Sequence, residues 1–279
     1  MSGVALEPLV SGLTWEADPD AATQIASPGR TKALWLRSAE CPHRHAFFKT
    51  VRPGRAEPFE MYSMGMERVA YALASLLGLP VPPVFLESYE GEPGALITKL
   101  SEIRDGRNAG ACPMLRTTIE NQADWPLMVL FDVWIGNVDR HAANLAYQAM
   151  PQGTRVQSAV RSRTWLIDHG FAGLFPPAKF GPGYRGKDPA TVILGERGQM
   201  DPDVEKRLLG VMPPEYRKAF THSGSRDALL DRIRMIEDDP IDGVLADIPA
   251  EYMSSKQAAL TAEMLKRRRD GIGELAAGY

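Results

Sequence analysis

The sequence of 279 residues has little cysteine, no long apolar run and no strong net charge. Its two cysteines, Cys41 and Cys112, cannot build a disulfide framework, and the absence of any Cys-x-x-Cys pair excludes the common zinc and redox motifs. The longest apolar run is far shorter than the roughly 20 residues that span a bilayer, so we expect no membrane span. A net charge of −3 gives no bulk attraction to nucleic acid or anionic membranes.

The N-terminus also lacks targeting signals. Residues 1–4 (MSGV) contain no basic region and no long apolar core follows them, so no secretory signal peptide is expected. Serine at position 2 breaks the N-myristoylation pattern. With so few cysteines, these absences predict a cytoplasmic protein. The basic run at 266–269 (KRRR) is interpreted as the solvated end of a helix, with a local basic binding face as the alternative.

The first hundred residues predict a small antiparallel sheet with one helix. The helix is expected over 60–77, where apolar residues recur at three- and four-residue spacing, and Gly78 and Pro80 mark its end. Strands are expected where apolar and aromatic residues cluster between turns, at 33–37, 45–51, 81–86 and 95–100.

After residue 101 the pattern becomes mainly helical. A helix is predicted from Leu127 to about Ile135, with Asp124 as its cap and Pro126 in its first turn. A hairpin is expected next, with strands at 145–147 and 164–167. The remaining predicted helices lie at 203–210, 214–220, 226–236 and 254–277.

The most informative pattern lies between the second helix and the end of this hairpin. Asp139 is followed five residues later by Asn144, and Asp168 ends an apolar strand before His169 and Gly170. The first spacing matches the D-x-x-x-x-N catalytic loop of kinases, and Asp-His-Gly stands where kinases carry Asp-Phe-Gly. Each residue alone would be an ordinary turn residue. Together they predict phosphoryl transfer, in which Asp139 orients a hydroxyl while Asn144 and Asp168 offer oxygen ligands to Mg²⁺.

Two histidines flank these groups. His141 and His169 would hydrogen-bond the loop backbone in a structural role, or contact the γ-phosphate in a functional one. The structural role is favoured for both, and His141 is kept as a candidate catalytic residue beside Asp139.

A lysine in the second predicted strand offers a phosphate ligand. Lys49 lies among Phe47, Phe48 and Val51, so it needs either an anionic partner or a solvated face. The kinase pattern pairs such a lysine with a glutamate from a helix. Glu67 is the predicted partner, with Glu60 as the alternative because it sits at the helix start.

Two further segments are candidate nucleotide contacts. The turn at 27–32 lacks both G-x-G-x-x-G and the Walker pattern, but it precedes the strands around Lys49 and is a candidate lid over phosphates. The hinge between lobes is expected near 98–101, where backbone groups would meet an adenine edge. From these segments the candidate nucleotide-binding residues are Gly29, Arg30, Thr31, Lys32, Thr98, Lys99 and Leu100.

With these residues the chain resembles the HipA-like kinases, an atypical kinase family related to the phosphatidylinositol kinases. The matching segments are FFKTV, MERVAYALASLLGLPVPPV, GNVDRHAANL and WLIDHG, and the segment IPAEYMSSKQAALTAEMLKRRRDGI is similar to the closing helices of small members. The resemblance covers most of residues 25–275. It implies Asp139 as catalytic base, Asn144 and Asp168 as metal ligands, and Lys49 as the phosphate-binding lysine.

The resemblance implies an α+β fold of two lobes, like that of protein kinases, with ATP and Mg²⁺ in the cleft. The expected organisation is an N-terminal extension (1–24), an N-lobe with a small antiparallel sheet and one helix (25–99), and a mainly helical C-lobe (100–279). In the HipA toxins a tyrosine precedes the metal-binding aspartate, whereas Ile167 stands there in this chain. Toxin activity and an antitoxin partner are therefore not predicted.

The predicted function is ATP- and Mg²⁺-dependent transfer of a phosphoryl group to a hydroxyl, with a protein serine or threonine as the expected acceptor. ATP and a protein substrate are the expected partners, and no nucleic-acid binding is expected. Three alternatives stay open at this point. They are a phosphatidylinositol-type or small-molecule kinase, a pseudokinase that only binds, and a metal-dependent phosphohydrolase with Asp139, His141, Asp168 and His169 as ligands.

Overall fold

A computed structural model describes residues 13–18, 32–51, 58–100, 103–105, 119–137, 139–149, 161–173, 212–221 and 223–277. Its first layer is an antiparallel sheet of β1 (Trp15–Ala17), β2 (Lys32–Ser38), β3 (His45–Thr50), β4 (Val84–Tyr89) and β5 (Glu92–Thr98). The strand order is β1-β2-β3-β5-β4, and all neighbours are antiparallel. The small antiparallel sheet expected from the sequence is therefore present.

The hairpin between β4 and β5 is tighter than the sequence predicted. Glu90 and Gly91 both have positive φ, at 53° and 79°, which is the backbone of a two-residue type I′ turn. Because the turn takes only these two residues, β5 begins at Glu92 and not at Ala95. β4 begins at Val84, since the two prolines before it cannot donate to the ladder.

One long helix, α1 (Pro58–Leu76), packs against this sheet and ends before Gly78, whose φ of +67° is the left-handed conformation of a helix stop. The predicted helix is thus confirmed to within two residues. α1 faces the other part of the molecule at Gly65, where a Cβ would lie at an ordinary contact distance of 3.5 Å from the side chains of Ile248 and Met253.

The second part of the molecule is built around α2 (Trp125–Ile135). Every residue of this helix except Pro126 is buried, so α2 is a core helix with no solvent face. Asp124 stands at the N-cap position, as predicted, but not as a side-chain cap. A 3₁₀ turn at Gln122–Asp124 leads straight into α2, so Asp124 already has helical backbone angles and its side chain makes no cap hydrogen bond.

A three-stranded antiparallel sheet in the order β6-β7-β8 follows, made of β6 (Ile103–Asp105), β7 (Leu145–Ala149) and β8 (Ser162–Leu166). The predicted hairpin is confirmed as β7 and β8. The sequence did not predict β6. Its three residues are too short for an alternating pattern, and pairing with β7 makes it a strand.

The chain continues with α3 (Pro214–Thr221), α4 (Arg226–Arg234), α5 (Asp238–Ala246), α6 (Ser255–Asp270) and α7 (Ile272–Ala277). The helix predicted over 254–277 is divided at Gly271, and α5 was not predicted because it contains Pro240 and Gly243. The helix predicted at 203–210 lies outside the described residues. Among the helices of the described ranges, none has the length and apolar character needed to cross a membrane.

Candidate active site

The alternation of β3 decides which way Lys49 faces. Ala46, Phe48 and Thr50 are buried on one face of the sheet, where Ala46 and Phe48 pack in a small apolar cluster. Phe47 and Lys49 lie on the opposite face, which is covered by α1. The strand register therefore presents the lysine toward the helix that carries Glu67.

Lys49, Glu67 and Asp168 meet at one point, although they come from β3, α1 and the end of β8. Nζ of Lys49 lies 2.5 Å from Oε1 of Glu67 and 3.0 Å from Oδ1 of Asp168. The contact selects Glu67 over Glu60 as the partner of the lysine. Glu67 is buried, whereas the side chain of Asp168 is 42% exposed to solvent.

Charge holds this cluster together against the cost of burial. Burial alone lowers the pKa of Lys49, but the carboxylates of Asp168 and Glu67 outweigh it, so the pKa of Lys49 is raised. The neighbouring ammonium lowers the pKa of Asp168 to about 2. Burial raises the pKa of Glu67, and contact with Lys49 opposes that rise. At neutral pH Lys49 is positive and Asp168 is negative, as a cationic phosphate ligand beside a metal ligand must be.

The Asp-His-Gly segment has an unusual backbone. Asp168 has φ +59°, a left-handed conformation that few residues other than glycine adopt and that aspartate tolerates best. The next residue turns inward: His169 is 1% exposed, and its ring meets Phe131 edge-on at 6.0 Å. Burial holds the pKa of His169 well below its usual value, so the ring is neutral. Asp168 and His169 thus point to different places, one to the cleft and one to the core.

The loop between α2 and β7 carries the other predicted site residues. Nδ2 of Asn144 donates to the carbonyl of Asp139 at 2.8 Å, which leaves Oδ1 of Asn144 as the atom available to a cation. Nδ1 of His141 accepts the N–H of Ala143, so the ring proton lies on Nε2, which is 3.7 Å from Oδ1 of Asp139. His141 therefore bonds the loop backbone, as in its predicted structural role, and faces the carboxylate of Asp139, while its contact with a γ-phosphate stays a prediction.

One main-chain hydrogen bond and one from the side chain of Arg140 connect this loop to the segment before Asp168. The N–H of Ile167 donates to the carbonyl of Asn144 at 3.2 Å, and Nη1 of Arg140 donates to the carbonyl of Ile167 at 2.7 Å. Arg140 also donates to the carbonyl of Asn144. These bonds hold Ile167, the residue before Asp168, next to Asn144. The two candidate metal ligands, Asn144 and Asp168, are thereby brought near each other, which a shared metal ion requires.

The sequence did not single out Asp132, which lies in the middle of α2 and is 1% exposed. It forms a bidentate ion pair with Arg140, whose Nε and Nη2 donate at 2.9 and 3.0 Å. A signal was present in the sequence, because Asp132 is the single charge in the apolar run WPLMVLFDVWI, and a buried charge must be paired.

The remaining candidate nucleotide contacts are only partly described. Gly29, Arg30 and Thr31 lie outside the described residues, and Lys32 begins β2 with its backbone opposite Thr50.

At the expected hinge, two N–H groups are already used. Thr98 donates to the carbonyl of Pro83 and Lys99 to that of His45, both at 3.0 Å. The ammonium of Lys99 lies 4.8 Å above the ring of Trp35. Leu100 is left as the candidate at which a main-chain N–H would meet a base edge.

The donor set suits Mg²⁺. Carboxylate and amide oxygens are the ligands it prefers, and a nucleotide-bridging Mg²⁺ needs only one or two of them because phosphates and waters supply the rest. Asp168 and Asn144 provide that number. In the described ranges no group of three or more His, Cys, Asp or Glu side chains is arranged to hold a metal on its own.

A cavity of about 590 Å³ lies elsewhere, on the face of the sheet opposite Lys49. Buried Leu36, Phe48 and Leu96 form part of its wall, and exposed Glu16 and Glu87 stand at its rim. It shares no residue with the cluster around Lys49 and is a separate feature of the sheet.

Comparison with known proteins places the fold. No family model and no curated protein matches the chain. Among solved structures, the Helicobacter pylori proinflammatory kinase CtkA superimposes with a TM-score of 0.54 at 16% identity, covering 94% of each chain. Shewanella oneidensis HipA, solved with HipB and operator DNA, superimposes with a TM-score of 0.46 at 11% identity, covering 91% of this chain and 67% of that one. The Leishmania major MAP kinase LmaMPK10 superimposes with a TM-score of 0.32 at 12% identity, covering 95% of this chain and 84% of that one.

The likeness to CtkA shows that the chain has a two-lobed kinase fold, with the five-stranded sheet and α1 in one lobe and the mainly helical remainder in the other. The predicted fold class is confirmed, and it is the fold that the resemblance to the HipA-like kinases implied. At 16% identity the likeness concerns the fold alone. The roles of individual residues and the lobe boundaries at 24/25 and 99/100 stay predictions.

Proposed function

We propose that the protein is a kinase that uses ATP and Mg²⁺ to phosphorylate a hydroxyl, with a serine or threonine of a protein as acceptor. The observation that carries the proposal is the contact of Lys49 with both Glu67 and Asp168, in a chain with a kinase fold. A lysine fixed between two carboxylates beside an open cleft suits phosphate binding. It has no comparable use in a purely structural core, where buried charges are costly.

The reaction is one displacement. The acceptor oxygen forms a bond to the γ-phosphorus of ATP, the bond from that phosphorus to the β–γ bridging oxygen breaks, and ADP leaves. The carboxylate of Asp139 orients the acceptor and receives its proton, and Nε2–H of His141 faces that carboxylate from 3.7 Å. Lys49 binds the phosphates of the nucleotide, and Glu67 holds the lysine in place.

Asn144 and Asp168 would hold Mg²⁺, which when bound offsets charge on the phosphate oxygens. Both side chains are set by the protein before any nucleotide arrives, Asn144 through the carbonyl of Asp139 and Asp168 through Lys49. Preset groups need no reorganisation during the reaction, and this is the main source of catalysis in phosphoryl transfer.

A metal-dependent phosphohydrolase receives less support from the geometry. It would need His169 as a ligand beside Asp168, but the ring of His169 is 1% exposed and packs against Phe131 while Asp168 faces the cleft. It would also leave Lys49 without a task at the metal site.

The proposal is tested by incubating the purified protein with γ-labelled ATP and Mg²⁺, with and without a mixture of candidate proteins. Labelled phosphate should appear on serine or threonine, located by mass spectrometry. Asp139→Asn should abolish transfer while ATP still binds. Asp247→Asn is the matched control, because this exposed aspartate at the end of α5 is far along the chain from the site and should leave activity unchanged.

Four results would contradict the proposal. Full transfer by the Asp139→Asn variant would remove Asp139 as the base. Release of inorganic phosphate without a labelled acceptor would indicate a hydrolase. ATP binding without any turnover would indicate a pseudokinase, and labelled lipid or small molecule in place of labelled protein would change the acceptor class.

A further inference from the structure

Asp132 accepts four hydrogen bonds in the middle of a buried helix. On Oδ1 it accepts Nδ2 of Asn137 at 2.7 Å and Nη2 of Arg140 at 3.0 Å. On Oδ2 it accepts Nε of Arg140 at 2.9 Å and the hydroxyl of Tyr216 at 3.0 Å. A carboxylate in the core needs this many donors because each unmet lone pair keeps part of its desolvation cost.

Two of these donors lead directly to the candidate active site. Oδ1 of Asn137 accepts the N–H of Asp139 at 3.2 Å, so Asp132 fixes the backbone of the candidate base through one intermediate. Arg140 donates hydrogen bonds to the carbonyls of Asn144 and Ile167. These bonds fix the backbone at the two candidate metal ligands, at Asn144 itself and at the residue before Asp168. One buried carboxylate therefore aligns the three groups that act on the phosphate.

The fourth hydrogen bond to Asp132 comes from a residue in a different element. Tyr216 lies in α3, is 1% exposed, and its ring meets that of Trp125 edge-on at 6.1 Å. Its hydroxyl makes the only hydrogen bond from α3 to the Asp132 carboxylate among the described residues. Burial raises the pKa of Tyr216 well above its usual value, so the hydroxyl keeps its proton and stays a donor.

We propose that Tyr216 is a positioning residue for phosphoryl transfer: its hydroxyl holds Asp132 in the orientation from which Asn137 and Arg140 align the catalytic loop. The inference rests on the proposed function, and it adds α3 to the elements that determine the geometry of the site. Without the hydroxyl, Asp132 keeps its hydrogen bonds to Arg140 and Asn137, so the protein should fold. The carboxylate loses one of the two donors on Oδ2 and gains freedom to rotate.

The kinetic test compares Tyr216→Phe with Tyr62→Phe. Tyr62 is a matched control because it is equally buried and its hydroxyl shares one hydrogen bond of 2.9 Å, with Thr261 in α6. Tyr216→Phe should lower kcat about tenfold. It should leave the KM for ATP within twofold, since the hydroxyl of Tyr216 bonds Asp132 and neither Lys49 nor Glu67. Tyr62→Phe should leave kcat within twofold, with a similar loss of thermal stability.

A second measurement does not require phosphotransfer. Hydrogen exchange of the peptide spanning Asn137 to Asn144, followed by mass spectrometry in the nucleotide-free protein, should be several-fold faster in Tyr216→Phe and unchanged in Tyr62→Phe. Unchanged exchange in Tyr216→Phe overturns the inference, as does an equal fall in kcat in both variants. If the wild-type protein transfers no phosphate, the proposed function fails, and exchange still decides whether Tyr216 positions the loop.

Discussion

The carboxylate of Glu67 binds two partners at once: Oε1 contacts Nζ of Lys49, and Oε2 accepts the backbone N–H of His169 at 2.9 Å. The second bond attaches α1 to the segment that carries Asp168. Glu67 is therefore more than the counter-ion of a lysine. It fixes the distance between the residue proposed to bind phosphate and a residue proposed to bind metal.

Removing the lysine charge should disable nucleotide binding. Lys49→Met leaves Glu67 and Asp168 facing each other without a cation and removes the phosphate ligand. We expect the affinity for ATP with Mg²⁺, measured by titration calorimetry, to fall at least tenfold. Lys256→Met removes an exposed lysine at the start of α6 and should leave affinity unchanged. An unaltered affinity in Lys49→Met would rule the lysine out as a phosphate ligand.

Asp168→Ala should separate metal binding from nucleotide binding. In the wild type we expect Mg²⁺ to raise the affinity for ATP, because Asp168 and Asn144 are the residues proposed to hold the ion beside the phosphates. In the variant, titrating Mg²⁺ at fixed ATP should give no further rise, while weak metal-free binding through Lys49 persists. A variant in which Mg²⁺ still strengthens ATP binding as in the wild type would place the metal elsewhere.

Gly94 shows how tightly the sheet is packed behind Lys49. A Cβ at Gly94 would lie 2.4 Å from the carbonyl oxygen of Lys49 and 2.4 Å from the ring of Phe48. Because one of these atoms is backbone, Gly94→Ala must shift the strand, and we expect a loss of about 1–3 kcal/mol in the free energy of unfolding. Gly243→Ala in α5 meets nothing within 4 Å and should instead stabilise by about 0.5–1 kcal/mol. Urea denaturation measures both, and equal effects would contradict the packing argument.

The sequence predicted the parts of the site that have local patterns. The strand of Lys49, the helix of Glu67 and the spacing from Asp139 to Asn144 can all be seen within short windows, and the structure brings Lys49 and Glu67 into contact. Asp132 had a local signal too, as a lone charge in an apolar helix. Its importance depends on partners that only the fold brings together.

Other features depend on tertiary contacts that no short window contains. In the sequence, Tyr216 is an ordinary aromatic residue of an amphipathic helix. Its contact with Asp132 arises only because α3 packs against α2 in the fold. β6 exists because β7 pairs with it, and a 3₁₀ turn before α2 leaves the side chain of Asp124 without the cap hydrogen bond that its position predicts. Tertiary packing outweighs local propensity at these points.

The ion pair of Asp132 and Arg140 should be strongly coupled. Arg140→Met leaves a buried carboxylate with two donors, and we expect a loss of about 3–5 kcal/mol in the free energy of unfolding. Asp132→Asn should cost a similar amount because it leaves the guanidinium buried without its anion. The double variant should lose clearly less than the sum of the two, and additive losses in urea denaturation would contradict direct pairing.

His169 should make the stability of the protein depend on pH near neutrality. Its ring is buried and neutral, so its pKa in the folded protein lies well below the value of 6.5 that it has when unfolded. Glu67, Asp168, Lys49 and Arg140 surround it. As pH falls below 6.5, His169 binds a proton in the unfolded chain but stays neutral in the folded protein. The contribution of His169 to stability is therefore complete above pH 6.5 and is lost below it, at up to about 1.4 kcal/mol per pH unit.

His169→Phe should remove this pH dependence and keep the edge-on contact with Phe131. Between pH 7.5 and 5.0 the wild type should lose more unfolding free energy than the variant. Asp168, with its pKa of about 2, and Lys49, with its raised pKa, do not titrate in this range. His43→Gln, which removes an exposed histidine, should follow the wild type. The measurement is urea denaturation at several pH values, and parallel curves for wild type and His169→Phe would show that the buried ring is not kept neutral.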